Sequence, residues 1–97
     1  MPYGTYSLNG SRSTGAEFIT FRGDTRYTRY QDGQVLSQGT FEALEPFDRV
    51  VYQFTPDDGS PLEYYFRSSD SFYQVRGDTV VSFEMFDERA VYCNFTP

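Results

Sequence analysis

The chain contains no histidine, no lysine and no tryptophan, and Cys93 is its one cysteine. Without histidine it offers no Ser–His or Cys–His pair for nucleophilic catalysis and no histidine ligand for a metal ion. A single cysteine excludes an intramolecular disulfide. These absences predict a protein that is not an enzyme and that uses neither a metal nor another cofactor.

Long apolar runs are also missing. No stretch approaches the roughly 20 apolar residues that a membrane-spanning helix requires, so we expect no membrane span. The first ten residues, MPYGTYSLNG, have neither the basic nor the apolar region of a secretion signal. The sequence therefore predicts a cytoplasmic protein, or a secreted or periplasmic protein whose signal peptide has been removed.

Positive charge is scarce. The chain has eight basic residues, all of them arginine, against fourteen acidic residues, and its net charge is −6. Nucleic acids and anionic membranes bind to basic patches, so this composition predicts neither as a partner. The acidic residues are spread along the chain without an acidic tail, which is typical of charge that keeps a protein soluble.

Aromatic residues, by contrast, are abundant, with ten Phe and nine Tyr in 97 residues. Together with Val and Thr they favour strands, and turn signals separate the strand-forming runs at intervals of about ten residues. This pattern predicts one all-β domain over residues 1–97, an antiparallel up-and-down barrel of about eight to nine short strands. The predicted strands span residues 3–9, 16–22, 25–31, 34–44, 48–55, 62–68, 71–76, 79–86 and 89–95.

The tetrapeptide Arg-Gly-Asp-Thr occurs twice, at residues 22–25 and 76–79. Arg-Gly-Asp is the tripeptide that cell-adhesion receptors recognise, but here each copy lies between two strand-forming runs. Glycine followed by aspartate fits a two-residue hairpin loop, because glycine supplies the positive φ of a type II′ turn. The flanks match as well, with Phe21 aligned on Val75 and Tyr27 on Val81. The repeat therefore predicts two similar hairpins rather than an adhesion site.

A set of turns and aromatic residues recurs along the first half of the chain: Gly4-Thr5-Tyr6, Phe21 with Gly23-Asp24, Tyr27, Asp32-Gly33 and Gly39-Thr40-Phe41. This set resembles the small bacterial lipocalin-like, or calycin-type, domains. The resemblance covers the first half of the chain, and the second half matches only as a pattern of strands. Tyr6 stands where a tryptophan is common, and SRSTG is too short for the helix that many lipocalins carry there. The resemblance implies an up-and-down barrel of about eight strands, and less directly a ligand-binding function.

An eight-stranded barrel is either filled by its own side chains or just wide enough for one small ligand. Alternation along the strands predicts which side chains point inward. If a pocket exists, we expect a small, partly apolar ligand or a carboxylate at the barrel mouth, bound by Tyr27, Arg29, Phe41, Tyr64 and Tyr73. The full inward set is Tyr6, Ile19, Phe21, Tyr27, Phe41, Val51, Tyr64, Phe66, Tyr73, Val75, Val81, Phe83, Val91 and Phe95.

Arg29 follows Tyr27 on the same face of its strand. If it points inward it needs a carboxylate partner or an anionic ligand, because an unpaired buried charge is costly. More often such an arginine extends its charged group to the solvated rim of the barrel. The strand carboxylates Glu17, Glu63 and Glu84 are expected to face solvent.

A protein-binding module with a filled barrel is the alternative function. Tyrosine is enriched at the energetic centres of interfaces, so an outer wall rich in tyrosine suits a partner protein. The tyrosines predicted for that wall are Tyr30, Tyr52, Tyr65 and Tyr92.

Overall fold

A computed structural model describes residues 3–13, 15–23, 25–45, 50–68 and 71–87. These residues form eight strands and no helix, so the prediction of an all-β fold is confirmed. The predicted ninth strand, residues 89–95, lies outside them. The strands are β1 (Gly4–Leu8), β2 (Glu17–Arg22), β3 (Arg26–Gln31), β4 (Gln34–Leu44), β5 (Val51–Pro56), β6 (Glu63–Ser68), β7 (Ser71–Arg76) and β8 (Thr79–Asp87).

Each strand pairs antiparallel with the next, and β8 returns to pair with β1, which closes the barrel in up-and-down order. Most ladders are four to six residue pairs long, but the β6–β7 ladder has three, from Phe66–Tyr73 to Ser68–Ser71. Nothing in the part of the chain described here forms a helix long and apolar enough to cross a membrane.

The hairpin turns follow from local sequence. Asp32 and Gly33 both have positive φ and connect the paired residues Gln31 and Gln34, as a two-residue type I′ loop requires. Aspartate tolerates this left-handed region better than most residues, and glycine enters it without steric cost.

The two Arg-Gly-Asp-Thr copies both lie at hairpin turns, and Gly23 and Gly77 have φ of 61° and 60°. The predicted positive φ is therefore confirmed at both. The second copy closes a two-residue loop between the paired residues Arg76 and Thr79. In the first copy Arg22 pairs with Arg26, which leaves three residues in the loop. Because of this extra residue, the side chains of the strand before the first turn face the opposite way from their counterparts before the second turn.

Aromatic rings in mutual contact fill the barrel. The Tyr27 ring stacks on Phe54 with centroids 4.2 Å apart, Phe54 meets Tyr65 at 4.5 Å, and Phe21 meets Phe41 edge-on at 5.0 Å. Such pairs add about 0.5–1.5 kcal/mol each beyond the burial of their surface. The buried cluster comprises Tyr6, Ile19, Phe21, Tyr27, Phe41, Tyr52, Phe54, Tyr65, Phe72 and Phe83.

The inward prediction is confirmed in part. Val81 is partly buried against the core. Val51 is also buried, but it pairs with the exposed Phe66 and so lies on the outward face of the sheet. Val91 and Phe95 lie outside the described residues. The predicted inward residues that are buried in the core are Tyr6, Ile19, Phe21, Tyr27, Phe41 and Phe83.

The facing predicted for β6 and β7 is wrong. Tyr64, Phe66, Tyr73 and Val75 are exposed, and their neighbours Tyr65 and Phe72 lie in the core instead. Directly opposite residues share a face of the sheet, and Tyr65 lies opposite Tyr52, which is itself buried. The neighbouring strand therefore sets the facing of β6. Alternation cannot choose it, because three aromatic residues follow one another at 64–66.

The predicted tyrosine-rich outer wall is wrong too. Tyr52 and Tyr65 lie in the core, and Tyr92 falls outside the described residues. Tyr30 is on the outer face of β3 by register, but it is buried and stacks on Phe18 at 5.6 Å. Its hydroxyl also lies 3.2 Å from the hydroxyl of Thr20, so this part of the outer wall is a second small packed cluster.

Gly39 is required by a close approach between β4 and β5. A Cβ atom at this position would overlap the backbone carbonyl oxygen of Thr55. Backbone atoms of a paired strand cannot move aside as a flexible side chain would, so a larger residue must distort the β4–β5 ladder.

We expect Gly39→Ala to lower the free energy of unfolding by about 2–3 kcal/mol, as overpacking of a tightly packed site does. Gly15→Ala is the matched control, because a Cβ at Gly15 meets its nearest atom, Asp32 Oδ1, at 3.5 Å. Chemical denaturation should show little change for the control. Equal losses in both variants would contradict the close approach at Gly39.

Candidate functional site

Polar side chains occupy one end of the barrel lumen. This end carries the β1–β2, β3–β4, β5–β6 and β7–β8 connections, and we call it the charged end. Four charged residues meet there: Glu17 of β2, Arg29 of β3, Glu63 of β6 and Arg76 of β7. The remaining length of the lumen is filled by the aromatic cluster.

Glu17 lies at the centre of this charged network. Arg76 donates hydrogen bonds from Nη1 to Glu17 Oε1 at 3.1 Å and from Nη2 to Oε2 at 2.8 Å. Arg29 donates from Nη1 to Glu17 Oε2 at 3.1 Å and from Nη2 to Glu63 Oε2 at 3.0 Å. Two carboxylates and two guanidinium groups therefore neutralise each other, in the geometry that makes charged hydrogen bonds strong.

Burial and ion pairing oppose each other at Glu17. Burial alone raises the pKa of its carboxyl, but the hydrogen bonds and charge of Arg76, and then those of Arg29, outweigh burial and hold the pKa below its usual value of 4.5. Glu17 is accordingly charged at neutral pH. The Tyr65 hydroxyl donates to Glu63 Oε1, and burial raises the pKa of Tyr65 far above its ordinary value, so the phenol keeps its proton.

Arg29 points inward. In this orientation we expect it to need a carboxylate partner or an anionic ligand. The structure supplies two, Glu17 and Glu63. The side chain of Arg29 is 17% exposed. Its Nε is buried and has no hydrogen-bond partner among the described residues.

The five residues predicted to bind a ligand are not brought together. Tyr27 and Phe41 belong to the core, where the Tyr27 hydroxyl lies 2.8 Å from the Ser37 hydroxyl. Arg29 is in the charged network. Tyr64 and Tyr73 are on the outer wall, so the structure separates them from the other three.

The sequence prediction missed three members of the charged network: Glu17, Glu63 and Arg76. The expectation that Glu17 and Glu63 face solvent is wrong, since Glu17 is buried and Glu63 is half-buried in the network, whereas Glu84 is exposed as predicted. A signal for Glu17 was present. It alternates with Ile19 and Phe21, both predicted to face inward, and so belongs to the same face.

Surface depressions lined by described residues lie outside the charged network. One of about 520 Å³ is lined by Thr25, Thr40, Phe41, Glu42 and Thr55. A smaller one of about 160 Å³ is lined by Val35, Leu36, Ser37, Gln38, Asp57 and Asp58. Within the described ranges, no three acidic, cysteine or histidine side chains are placed to hold a metal ion.

No protein-family model, no curated protein and no solved structure matches this chain. Its function has to be inferred from its own residues and their arrangement.

We expect Glu17→Gln to lower the free energy of unfolding at neutral pH by about 2–3 kcal/mol. This is below the roughly 3–5 kcal/mol that breaking a fully buried ion pair costs, because Arg76 is 34% exposed and stays partly solvated. Asp57→Asn is the matched control, since Asp57 pairs with Arg26 on the exposed surface. Its loss should change stability little. Similar effects in both variants would contradict a special role for Glu17.

The stability difference between the wild type and Glu17→Gln depends on pH in a defined way. Because the pKa of Glu17 is lower in the folded state, the unfolded state binds the proton more readily. The stabilisation is therefore complete above about pH 4.5 and is lost as the pH falls through the lower folded-state value. The stability difference between the wild type and Glu17→Gln should shrink in that acidic range, as chemical denaturation at several pH values would show.

We expect Tyr27→Ala to cost about 3–5 kcal/mol, the range for a large aromatic side chain removed from a closed core. Tyr64→Ala removes the same atoms from a side chain that is 46% exposed and should cost about 1 kcal/mol or less. Thermal and chemical denaturation would measure both. A small loss for Tyr27→Ala would indicate that its ring borders an open pocket.

Proposed function

We propose that this chain is a non-enzymatic protein-binding module, a β-barrel filled by its own side chains that binds through its outer wall. The observation that carries the proposal is an exposed apolar surface on three adjacent strands. It consists of Tyr64 and Phe66 on β6, Tyr73 and Val75 on β7, and Val80 on β8, and we call it the β6–β8 face. Val75 and Val80 are 62% and 64% exposed.

The members of the β6–β8 face are neighbours across the sheet. Phe66 pairs directly with Tyr73, and Val75 pairs with Val80, so their side chains stand together on the outer surface. Isolated exposed apolar residues are ordinary on protein surfaces, whereas a continuous group of aromatic and aliphatic residues is typical of an interaction site.

The filled lumen supports the same proposal. Tyr27, one of the five residues predicted to bind a ligand, is in stacking contact with Phe54, and the Arg29 guanidinium is held by two carboxylates. A ligand carboxylate that sought Arg29 would have to displace Glu17 or Glu63. Binding on the outer wall needs no such rearrangement.

A small-molecule site at the charged end is the second candidate function. The buried Arg29 Nε, which has no hydrogen-bond partner among the described residues, favours it, because a hydrogen-bond acceptor of a small ligand would satisfy that donor. The ligand would be small and partly apolar, in keeping with the narrow bore of an eight-stranded barrel.

A lipocalin-like, calycin-type identity is part of the proposal. The closed up-and-down barrel is compatible with it, and so are Gly4-Thr5-Tyr6 at the start of the chain and the Asp32-Gly33 turn. A cytoplasmic location, or a secreted or periplasmic one after removal of a signal, stays a prediction from the sequence.

The two functions can be distinguished by identifying the molecules that the wild type and its variants bind in host extract. We expect a protein partner to be recovered with the wild type and to be lost with Val75→Arg. Leu36→Arg is the matched control, because Leu36 is 44% exposed but lies on β4, away from the β6–β8 face. Native mass spectrometry of the same samples detects any bound small molecule. A bound small molecule together with the absence of a protein partner would favour the second candidate.

A further inference from the structure

The geometry points to a second copy of this chain as the partner of the β6–β8 face. This inference rests on the proposed function, because it assigns an occupant to the same surface. It follows from the closure of the barrel, from the charges around the face and from the size of the face.

Closure of the barrel decides how any partner can bind. Each of the eight described strands has two paired neighbours, so none of these strands is left whole as an open edge to which a partner strand could add. A partner must instead pack its side chains against the outward side chains of β6, β7 and β8. Two sheets that pack in this way lie about 10 Å apart and interdigitate their facing residues.

Charge decides what the partner presents at the centre of the contact. None of the five residues of the face is charged, and the outward residues paired with Tyr64 and Tyr73 are Gln53 and Ser82, which are also uncharged. Among the described residues, charged groups lie at the border of the face, where Glu84 pairs with Ser71 and Asp78 lies in the β7–β8 loop.

A partner with lysine or arginine at the centre would bury those groups opposite no carboxylate, which is costly. An uncharged aromatic and aliphatic surface fits this centre without such a cost. A second copy of the chain presents that surface, and a two-fold arrangement brings the two faces together.

The size of the face sets the strength of the association. Three aromatic rings exposed by 37–46% and two valines exposed by more than 60% together offer on the order of 400 Å² of apolar surface. A stable interface buries about 800 Å² on each partner, so the face supports a weak, concentration-dependent dimer.

Net charge sets the response to salt. Each copy carries a net charge of −6, so two copies repel each other at long range. Salt screens this repulsion and leaves burial of the apolar faces intact. Self-association should therefore strengthen as salt is raised, whereas binding to a basic partner would weaken.

Sedimentation equilibrium of the purified protein tests the inference over about 10 µM to 1 mM, the range of a weak complex, and at about 0.02 M and 0.5 M NaCl. We expect the average mass to rise with concentration toward twice the 11.2 kDa of one chain. The rise should begin at lower protein concentration in the higher salt.

Val75→Arg should weaken self-association by about tenfold or more, as a charge placed in an apolar contact does. The substitution lowers the net negative charge, so stronger long-range repulsion between the two copies cannot explain the loss. Leu36→Arg makes the same charge change outside the face and should leave the association constant within about threefold of the wild type. Unchanged circular dichroism and melting temperature would show that both variants fold.

Concentration-dependent amide NMR shifts give a second readout that needs no variant. They should map to β6, β7 and β8. A protein that stays monomeric throughout, association that weakens with salt, or shifts that map elsewhere would overturn the inference.

If the protein is monomeric but Val75→Arg still loses a partner from host extract, the second-copy inference fails and the protein-binding function stands. If the protein is monomeric and Val75→Arg binds the same proteins from host extract as the wild type, both the second-copy inference and the protein-binding function fail.

Discussion

In a closed eight-stranded barrel, the neighbouring strands determine which side chains of a strand face the lumen, because each strand is paired on both sides. Directly opposite residues share a face, so the inward set passes from strand to strand around the ring. Here Ile19 and Phe21 bring Glu17 inward with them, and Ile19 pairs with Arg29. The charged network is thus a consequence of barrel closure, and it forms where the aromatic residues of the inward face give way to polar ones.

The strands and turns were predictable because their signals are local. Asp32-Gly33 and the two Gly-Asp turns supply the positive φ that tight hairpins need, and the strand-forming runs between them are rich in β-branched and aromatic residues. The facing of β6 and β7 was not predictable from alternation. Runs such as Tyr64-Tyr65-Phe66 offer an aromatic residue to either face, and only the paired strand decides between them.

The candidate site was predicted less well than the fold, for two reasons. The repeated tetrapeptide suggested equivalent hairpins, but one additional loop residue in the first copy puts Phe21 inward while its counterpart Val75 is outward. Glutamates in strands also suggested solvated positions, although Glu17 is compensated by arginines from two other strands. Pairing between residues 59 positions apart in the chain cannot be read from composition or periodicity.

Among the described strands, β6 and β7 form the ladder with the fewest paired residues, three. Because β8 also pairs with β1, separation at this seam would not break the molecule into parts. It would leave one open eight-stranded sheet in the order β7-β8-β1-β2-β3-β4-β5-β6. The two strands then left as edges carry Tyr64, Phe66, Tyr73 and Val75 on their outer surface. An unpaired edge beside exposed apolar side chains is the usual starting point for strand exchange and aggregation, so this seam is where the barrel is most vulnerable.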